Sequence, residues 1–205
     1  MPSPRYRTLS RRVNELRKNL LPRTFEPTGL YTNRVHERTR AFRVLAHAEF
    51  ESYIEDRAVE VIHRAHSIWD KTGRIRPCLL ALMSHKEADY DIPDKLSDIT
   101  DSSRKYPTLK GRIEASKKHY STFIRTRNHG IKEKNLLLIL LPLGITIDEI
   151  NRTWLETTES WATARGKVAH SSAKLQHQID PRIELQTVTE ILEGFKGIDV
   201  LLDRK

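Results

Sequence analysis

An arginine set into an apolar helical stripe constrains this chain more than any other feature. Residues 161–172 read Trp-Ala-Thr-Ala-Arg-Gly-Lys-Val-Ala-His-Ser-Ser. At about 100° per residue, Arg165 falls in the middle of a stripe whose apolar members are Trp154, Leu155, Trp161, Ala162, Val168 and Ala169. A guanidinium is always charged, so its burial costs free energy unless a partner neutralises it.

An earlier segment contains the expected partner. On the helix predicted for residues 34–71, Glu51 and Glu55 lie one turn apart within an apolar face. Two apolar faces with charges of opposite sign predict that a carboxylate meets Arg165 where the helices pack. Two interpretations are open: a structural ion pair, or a polar site of Arg165 and His170 that the fold keeps partly free of water.

Hydrophobic periodicity predicts an all-α protein with two long core helices and several shorter helices. The first long helix is expected over residues 34–71, with Gly73 ending it in a left-handed conformation. Residues 85–110 are rich in Asp, Ser and Pro and predict a long surface loop. No window shows the alternation of a β-strand.

Two start signals precede the later helices. Thr146 and Glu149 form a capping-box pattern, which predicts that the helix carrying Arg165 begins there. Asp180 followed by Pro181 combines an N-cap with a first-turn proline and predicts the last helix.

Positive charge is concentrated near the N-terminus. The 205-residue chain has a net charge of +9, and residues 1–46 contain eleven Lys and Arg against three Glu. We interpret residues 1–33 as a basic extension and residues 34–205 as one helical domain. A basic N-terminal segment attracts a phosphate backbone without reading its sequence. The alternative is that this segment only makes the protein more soluble.

Composition argues against several classes of protein. No run of 18 apolar residues exists, which predicts no membrane span, and the basic N-terminus lacks the apolar core of an export signal. Cys78 is the single cysteine, so an intramolecular disulfide is excluded and a zinc–thiolate site is not expected. No spacing of histidines and carboxylates completes a metal site. We therefore expect a cytoplasmic protein without a metal, cofactor or membrane partner.

Several motifs together resemble one superfamily. The Arg-x4-His motif at 165–170, in an all-α chain, resembles the signature of the HEPN superfamily, many of whose members are ribonucleases. Residues 48–56, Ala-Glu-Phe-Glu-Ser-Tyr-Ile-Glu-Asp, resemble the acidic first helix of its RiboL-PSP branch. Residues 135–144, which end in Leu-Pro-Leu-Gly, resemble the later half of that branch. The resemblance covers roughly residues 34–172 and implies a HEPN-like helical bundle.

The resemblance implies a metal-independent endoribonuclease that acts at a dimer cleft. His170 matches the family's acid/base residue, which takes the proton of a ribose 2′-hydroxyl so that the oxygen attacks the adjacent phosphate. Arg165 matches the residue that stabilises the charge of the pentacoordinate transition state. Many active members carry a polar residue directly after the arginine. Gly166 stands there in this chain, and Lys167 and Ser171 are expected to supply that contact.

The spacing of the motif limits how its two residues work together. On a straight helix, Arg165 and His170 are about 140° apart around the axis and about 7.5 Å apart along it. Three arrangements are open. The helix is broken near Gly166, the site lies at the edge of the stripe, or two chains pool their residues about a two-fold axis.

The remaining site residues and partners follow from the same interpretation. Glu51 and Glu55 are expected to support Arg165. The four arginines expected to bind nucleic acid are Arg34, Arg38, Arg40 and Arg43. The expected partners are RNA, a second copy of the chain, and an antitoxin or regulatory protein of a defence or toxin system. The alternative is a non-catalytic HEPN module that binds a protein partner or a nucleotide.

Overall fold

The structure is a computed structural model that describes residues 1–85, 108–170 and 178–205, without the side chains of 167–170. The described ranges contain seven α-helices and no β-strand, which confirms the predicted all-α class. The helices are α1 (Pro4–Leu20), α2 (Asn33–Thr72), α3 (Pro77–Ser84), α4 (Leu109–Arg127), α5 (Glu133–Leu140), α6 (Arg152–His170) and α7 (Pro181–Arg204). Most of the loop predicted for residues 85–110 lies outside these ranges.

Helix α2 organises the bundle. It contains 40 residues and contacts all six other helices. It ends at Gly73 with φ 70°, the left-handed conformation predicted for this glycine. Because helices pack around α2 on several sides, its buried positions extend beyond one stripe and include Phe42, Phe50 and Ile54, each 0% exposed. Ala48 lies on the exposed side of α2.

Helix α1 contributes to the same core, packing against α2 and α7. Its apolar side chains Leu9 and Val13 are buried. Arg7 and Arg11 are exposed on its outer face. These two positive charges therefore lie on the outer surface of α1. The division of the chain at residue 33 stays a prediction.

A buried polar cluster, here called the Asp199 cluster, joins α1, α2 and α7. The Asp199 carboxylate is 0% exposed and accepts hydrogen bonds from Ser3 N (2.6 Å), Ser3 Oγ (2.7 Å), Tyr53 Oη (2.8 Å) and Arg57 Nε (2.9 Å). Another guanidinium nitrogen of Arg57 donates to Asp203. Burial alone raises the pKa of Asp199, but these hydrogen bonds outweigh it and leave the pKa below its ordinary value.

Helices α6 and α7 approach closely at one glycine. Trp154 lies against α7 and donates from Nε1 to the carbonyl of Ile191 at 3.0 Å. A Cβ at Gly194 would lie 1.9 Å from the Trp154 ring. Gly194 is thus required by packing, and α7 continues through it from Pro181 to Arg204. The start signal at Asp180 is confirmed, since its side chain accepts from Arg182 N at 2.7 Å.

The start of α6 differs from the prediction. Thr146 and Glu149 form the expected capping box, but it closes a separate 3₁₀ turn at Ile147–Glu149. Helix α6 begins after Asn151, whose side chain accepts from the backbone N–H of Trp154 at 3.0 Å. The backbone then stays helical through Gly166 to the end of α6. The arrangement in which the helix is broken near Gly166 is therefore wrong.

No helix among the described residues combines the length and the apolar character that crossing a membrane requires.

Candidate functional site

Arg165 lies where α6 packs against α2. One turn earlier on α6, Trp161 is buried and its ring stacks on the imidazole of His47, with centroids 5.9 Å apart and planes at 25°. The Arg165 side chain is half-buried, and its Nε has no hydrogen-bond partner among the described residues. Burial, and then the charge of Arg165, lowers the pKa of His47 to about 4. His47 is therefore a neutral imidazole beside a fixed cation at pH 7.

The predicted ion pair between Arg165 and an α2 carboxylate is wrong for the part of the chain that the structure describes, where no salt bridge joins Arg165 to Glu51 or Glu55. Glu51 instead accepts from the backbone N–H of Gly130. Its other carboxylate oxygen lies 3.5 Å from His47 Nδ1. The neighbour of Arg165 on α2 is thus a histidine rather than a carboxylate.

Glu51 and Glu55 form a mixed cluster with His129, which follows α4. One ligand atom from each of the three side chains lies within 4.8 Å of the others. The Oε1 atom of Glu55 is buried and has no hydrogen-bond partner within the described ranges. Burial, and then the charge of Glu51, raises the pKa of Glu55. Glu51 and Glu55, which were predicted to support Arg165, therefore lie close to His129 in the loop between α4 and α5.

The loop that carries His129 is held in place by specific hydrogen bonds. Asn128 is buried; its Nδ2 donates to Asn135 O at 3.1 Å, and its Oδ1 accepts from Asn135 Nδ2 at 3.0 Å. Gly130 has φ +100°, a conformation that glycine tolerates, and it directs its N–H at Glu51. The exposed His129 side chain is therefore presented to α2 by an ordered loop.

Two histidines of this region were missed by reasoning from the sequence. His129 carries no signal in the sequence, because 74 positions separate it from Glu55 and no local pattern connects them. His47 does carry a signal: His47, Glu51 and Glu55 are spaced four residues apart, which places them on successive turns of one helix face.

Arg43 has a partner inside the fold. Its guanidinium binds Glu184 through two nitrogens, with Nε 3.0 and 3.1 Å from the two oxygens. Glu184 is 1% exposed and also accepts from Trp161 Nε1 at 2.7 Å. A carboxylate buried in the first turn of α7 needs such a cation, so Arg43 serves the fold. Because its guanidinium is already paired with Glu184, the position of Arg43 argues against the predicted role in binding RNA.

The other predicted site residues differ in exposure. Arg40 is largely buried and its Nη1 donates to Glu37 at 2.7 Å. Arg34 and Arg38 are exposed. Three residues predicted to act with Arg165 have side chains outside the described part of the structure: Lys167, His170 and Ser171. The roles predicted for these residues stay predictions.

Comparison with known families agrees with the motif and the fold. An all-α bundle whose α6 carries an Arg-x4-His motif is the kind of protein that the HEPN superfamily comprises. The family model RiboL-PSP-HEPN matches residues 7–203. The chain therefore belongs to the RiboL-PSP-HEPN family, which indicates a nuclease or a nucleotide-binding module. No curated protein and no solved structure matches the chain.

Proposed function

We propose that this protein is a metal-independent endoribonuclease in which Arg165 binds the scissile phosphate and His170 is the acid/base. The observation that carries the proposal is the state of Arg165: half-buried, with an Nε that has no partner among the described residues. Glu51, the carboxylate predicted to pair with Arg165, instead accepts from the backbone N–H of Gly130. A guanidinium kept in this way is available to an anion, and its planar fork matches the oxygens of a phosphate.

The chemistry requires only groups that the protein and RNA supply. His170 removes the proton of a ribose 2′-hydroxyl, whose oxygen forms a bond to the adjacent phosphorus. The bond from phosphorus to the 5′-oxygen then breaks, and that oxygen receives a proton from an acid. The products are a 2′,3′-cyclic phosphate and a 5′-hydroxyl. Because the nucleophile belongs to the substrate, DNA is not cleaved. Arg165 stabilises the extra negative charge on phosphorus-bound oxygens.

The continuous helix favours a site made by two copies of the chain. Since the backbone of α6 stays helical through Gly166, positions 165 and 170 of one chain lie about 140° apart around the helix axis. One straight helix does not bring both onto the same face. Two copies related by a two-fold axis bring Arg165 of one α6 beside His170 of the other. The proposed cleft therefore lies between two chains, and the dimer is part of the mechanism.

Exposed cations on α1 and α2 support RNA binding by the protein. Arg34 and Arg38 are exposed at the start of α2, and Arg7 and Arg11 on the outer face of α1. Contacts of this kind attract phosphates without reading sequence and weaken steeply with salt. An antitoxin or regulatory protein that covers the same cations would control access of RNA, as a role in a defence or toxin system requires.

Cleavage of a mixed-sequence RNA in excess chelator tests the proposal. The expected result is cleavage by the wild type and a loss of at least about 10²-fold in His170→Ala and in Arg165→Ala. His119→Ala is the matched control, because His119 is an exposed histidine on α4. An RNA with 2′-deoxy linkages is expected to stay intact.

Two outcomes would contradict the proposal. Wild-type rates in a folded His170→Ala protein would remove the acid/base assignment. RNA binding without any cleavage by the wild type would instead support a non-catalytic HEPN module.

A further inference from the structure

We propose that Glu51, Glu55 and His129 bind one divalent transition-metal cation of the class of Zn²⁺, in a site that joins α2 to the loop after α4. Their ligand atoms lie within 4.8 Å of one another. Carboxylate oxygens and an imidazole nitrogen are ordinary zinc ligands, and three protein ligands leave one tetrahedral position open. The site goes beyond the proposed function, whose chemistry needs no metal.

A bound cation would relieve two unfavourable features of the carboxylates Glu51 and Glu55. Glu51 and Glu55 lie one turn apart on α2, where like charges repel. The Oε1 atom of Glu55 is buried and has no hydrogen-bond partner in the described ranges. Leaving such an acceptor without a partner costs free energy. One doubly charged cation between the two carboxylates removes both costs.

A second, independent observation concerns His47. Its side chain is 5% exposed, and its Nδ1 is buried without a hydrogen-bond partner among the described residues, although it lies 3.5 Å from a Glu51 oxygen. Carboxylates that ligate a metal are themselves held by hydrogen-bond donors behind them. The N–H of Gly130 already donates to the other Glu51 oxygen. A small rotation of Glu51 toward His47 thus completes the support of a ligating carboxylate.

The required adjustment is small. Two ligands bonded to one tetrahedral zinc at about 2 Å lie roughly 3.3 Å apart, so distances within the cluster have to shorten by at most about 1.5 Å. His129 is exposed and has room to turn, while the loop that carries it is fixed by Asn128. Arg125 is close enough to favour the charged form of Glu55. Because Arg125 is exposed on a long flexible side chain, it is free to leave when the cation enters.

The donor set selects among cations. An imidazole nitrogen favours zinc and its neighbours in the first transition row. Magnesium prefers oxygen ligands and keeps several of its waters. The proposed site therefore discriminates against Mg²⁺, although two of its three ligands are carboxylates.

Isothermal titration of the metal-free full chain with ZnCl₂ tests the site. The wild type is expected to bind one equivalent at this cluster, with affinity at least about tenfold weaker in Glu55→Gln and in His129→Ala. Glu114→Gln and His119→Ala are the matched controls, because both residues are exposed on α4 and lie outside the cluster. The controls are expected to bind as the wild type does, and MgCl₂ is expected not to compete.

Titration with CoCl₂ gives a second measurement. Binding at a tetrahedral site produces intense visible absorption, which is expected in the wild type and absent in His129→Ala. Unchanged Zn²⁺ affinity in both cluster variants, or no binding to the wild type, would overturn the proposal. Because His129 is exposed, its alanine variant answers the question even where Glu55→Gln fails to fold. No RNA enters either titration, so failure here is separate from failure of the proposed nuclease.

Discussion

Two polar clusters packed against the same helix differ in how well their atoms are satisfied. In the Asp199 cluster, Asp199 accepts four hydrogen bonds and Arg57 has carboxylate partners in Asp199 and Asp203. The second group, here called the Arg165 cluster, comprises Arg165, His47, Glu51, Glu55 and His129. Three of its buried atoms have no hydrogen-bond partner among the described residues: Arg165 Nε, His47 Nδ1 and Glu55 Oε1.

The difference separates a role in the fold from a role toward a ligand. A fully satisfied buried network fixes the elements that it joins, here α1, α2 and α7. A network with open donors and acceptors costs stability, and proteins keep such arrangements where function needs them. We therefore assign the Asp199 cluster to the fold and propose that the Arg165 cluster serves binding and chemistry.

The largest effect is expected at the Asp199 cluster. Asp199→Ala leaves the guanidinium of Arg57, which is 1% exposed, without its buried partner. The free energy of unfolding is expected to fall by roughly 3 to 5 kcal/mol, measured by urea denaturation. Asp148→Ala, at an exposed carboxylate, is the control and should change it by less than about 0.5 kcal/mol. A similar small loss in both variants would mean that the satisfied network contributes little to the fold.

The next effect concerns the pH dependence of His47. Its pKa is about 4 in the folded state, chiefly because of burial, against 6.5 for an unperturbed histidine. The unfolded chain therefore binds a proton between these values while the folded chain does not, so stability falls as pH falls from 6.5 toward 4. The contribution amounts to at most roughly 3 kcal/mol.

His47→Gln is expected to remove that slope. The measurement is the free energy of unfolding of both proteins at several pH values between 4 and 7. Parallel curves for the two proteins would show that His47 is not held neutral by its surroundings.

A smaller pair of effects with opposite signs is expected from two helical glycines. A Cβ at Gly166 meets no atom of the described residues within 4 Å, so Gly166→Ala is expected to raise the free energy of unfolding by about 0.5 to 1 kcal/mol. A Cβ at Gly194 meets Trp154 at 1.9 Å, so Gly194→Ala is expected to lower it by about 1 to 3 kcal/mol. Thermal unfolding of the two variants checks both signs. Destabilisation by Gly166→Ala would mean that this part of α6 is closely packed.

Helix boundaries are predictable from the sequence where the residues that form the cap lie within one turn of the helix end. Gly73 at the end of α2 and Asp180 before α7 work through their own backbone and caps. The capping box at Thr146 and Glu149 is equally local, and it forms. A capping box marks where a helical turn begins, but it does not show how far the helix continues. The pattern therefore does not distinguish the short 3₁₀ turn at Ile147–Glu149 from the start of α6.

The candidate site was predictable only in part. Arg165 is visible because a charge interrupts an apolar period. The partner of Arg43 is Glu184, 141 positions away, and the contact of Glu51 with Gly130 spans 79 positions. Such contacts depend on how helices pack, and periodicity gives the buried face of a helix without naming the helix that covers it.

The free energy of unfolding of Arg165→Met, measured beside that of Asp199→Ala, separates the two clusters in one comparison. Methionine keeps much of the packing of the arginine stem and removes only the charge. Because no carboxylate among the described residues forms a salt bridge with Arg165, we predict a change of less than about 1 kcal/mol. A loss of roughly 3 to 5 kcal/mol, equal to that of Asp199→Ala, would show that Arg165 is a structural ion-pair partner and would contradict its assignment to ligand binding.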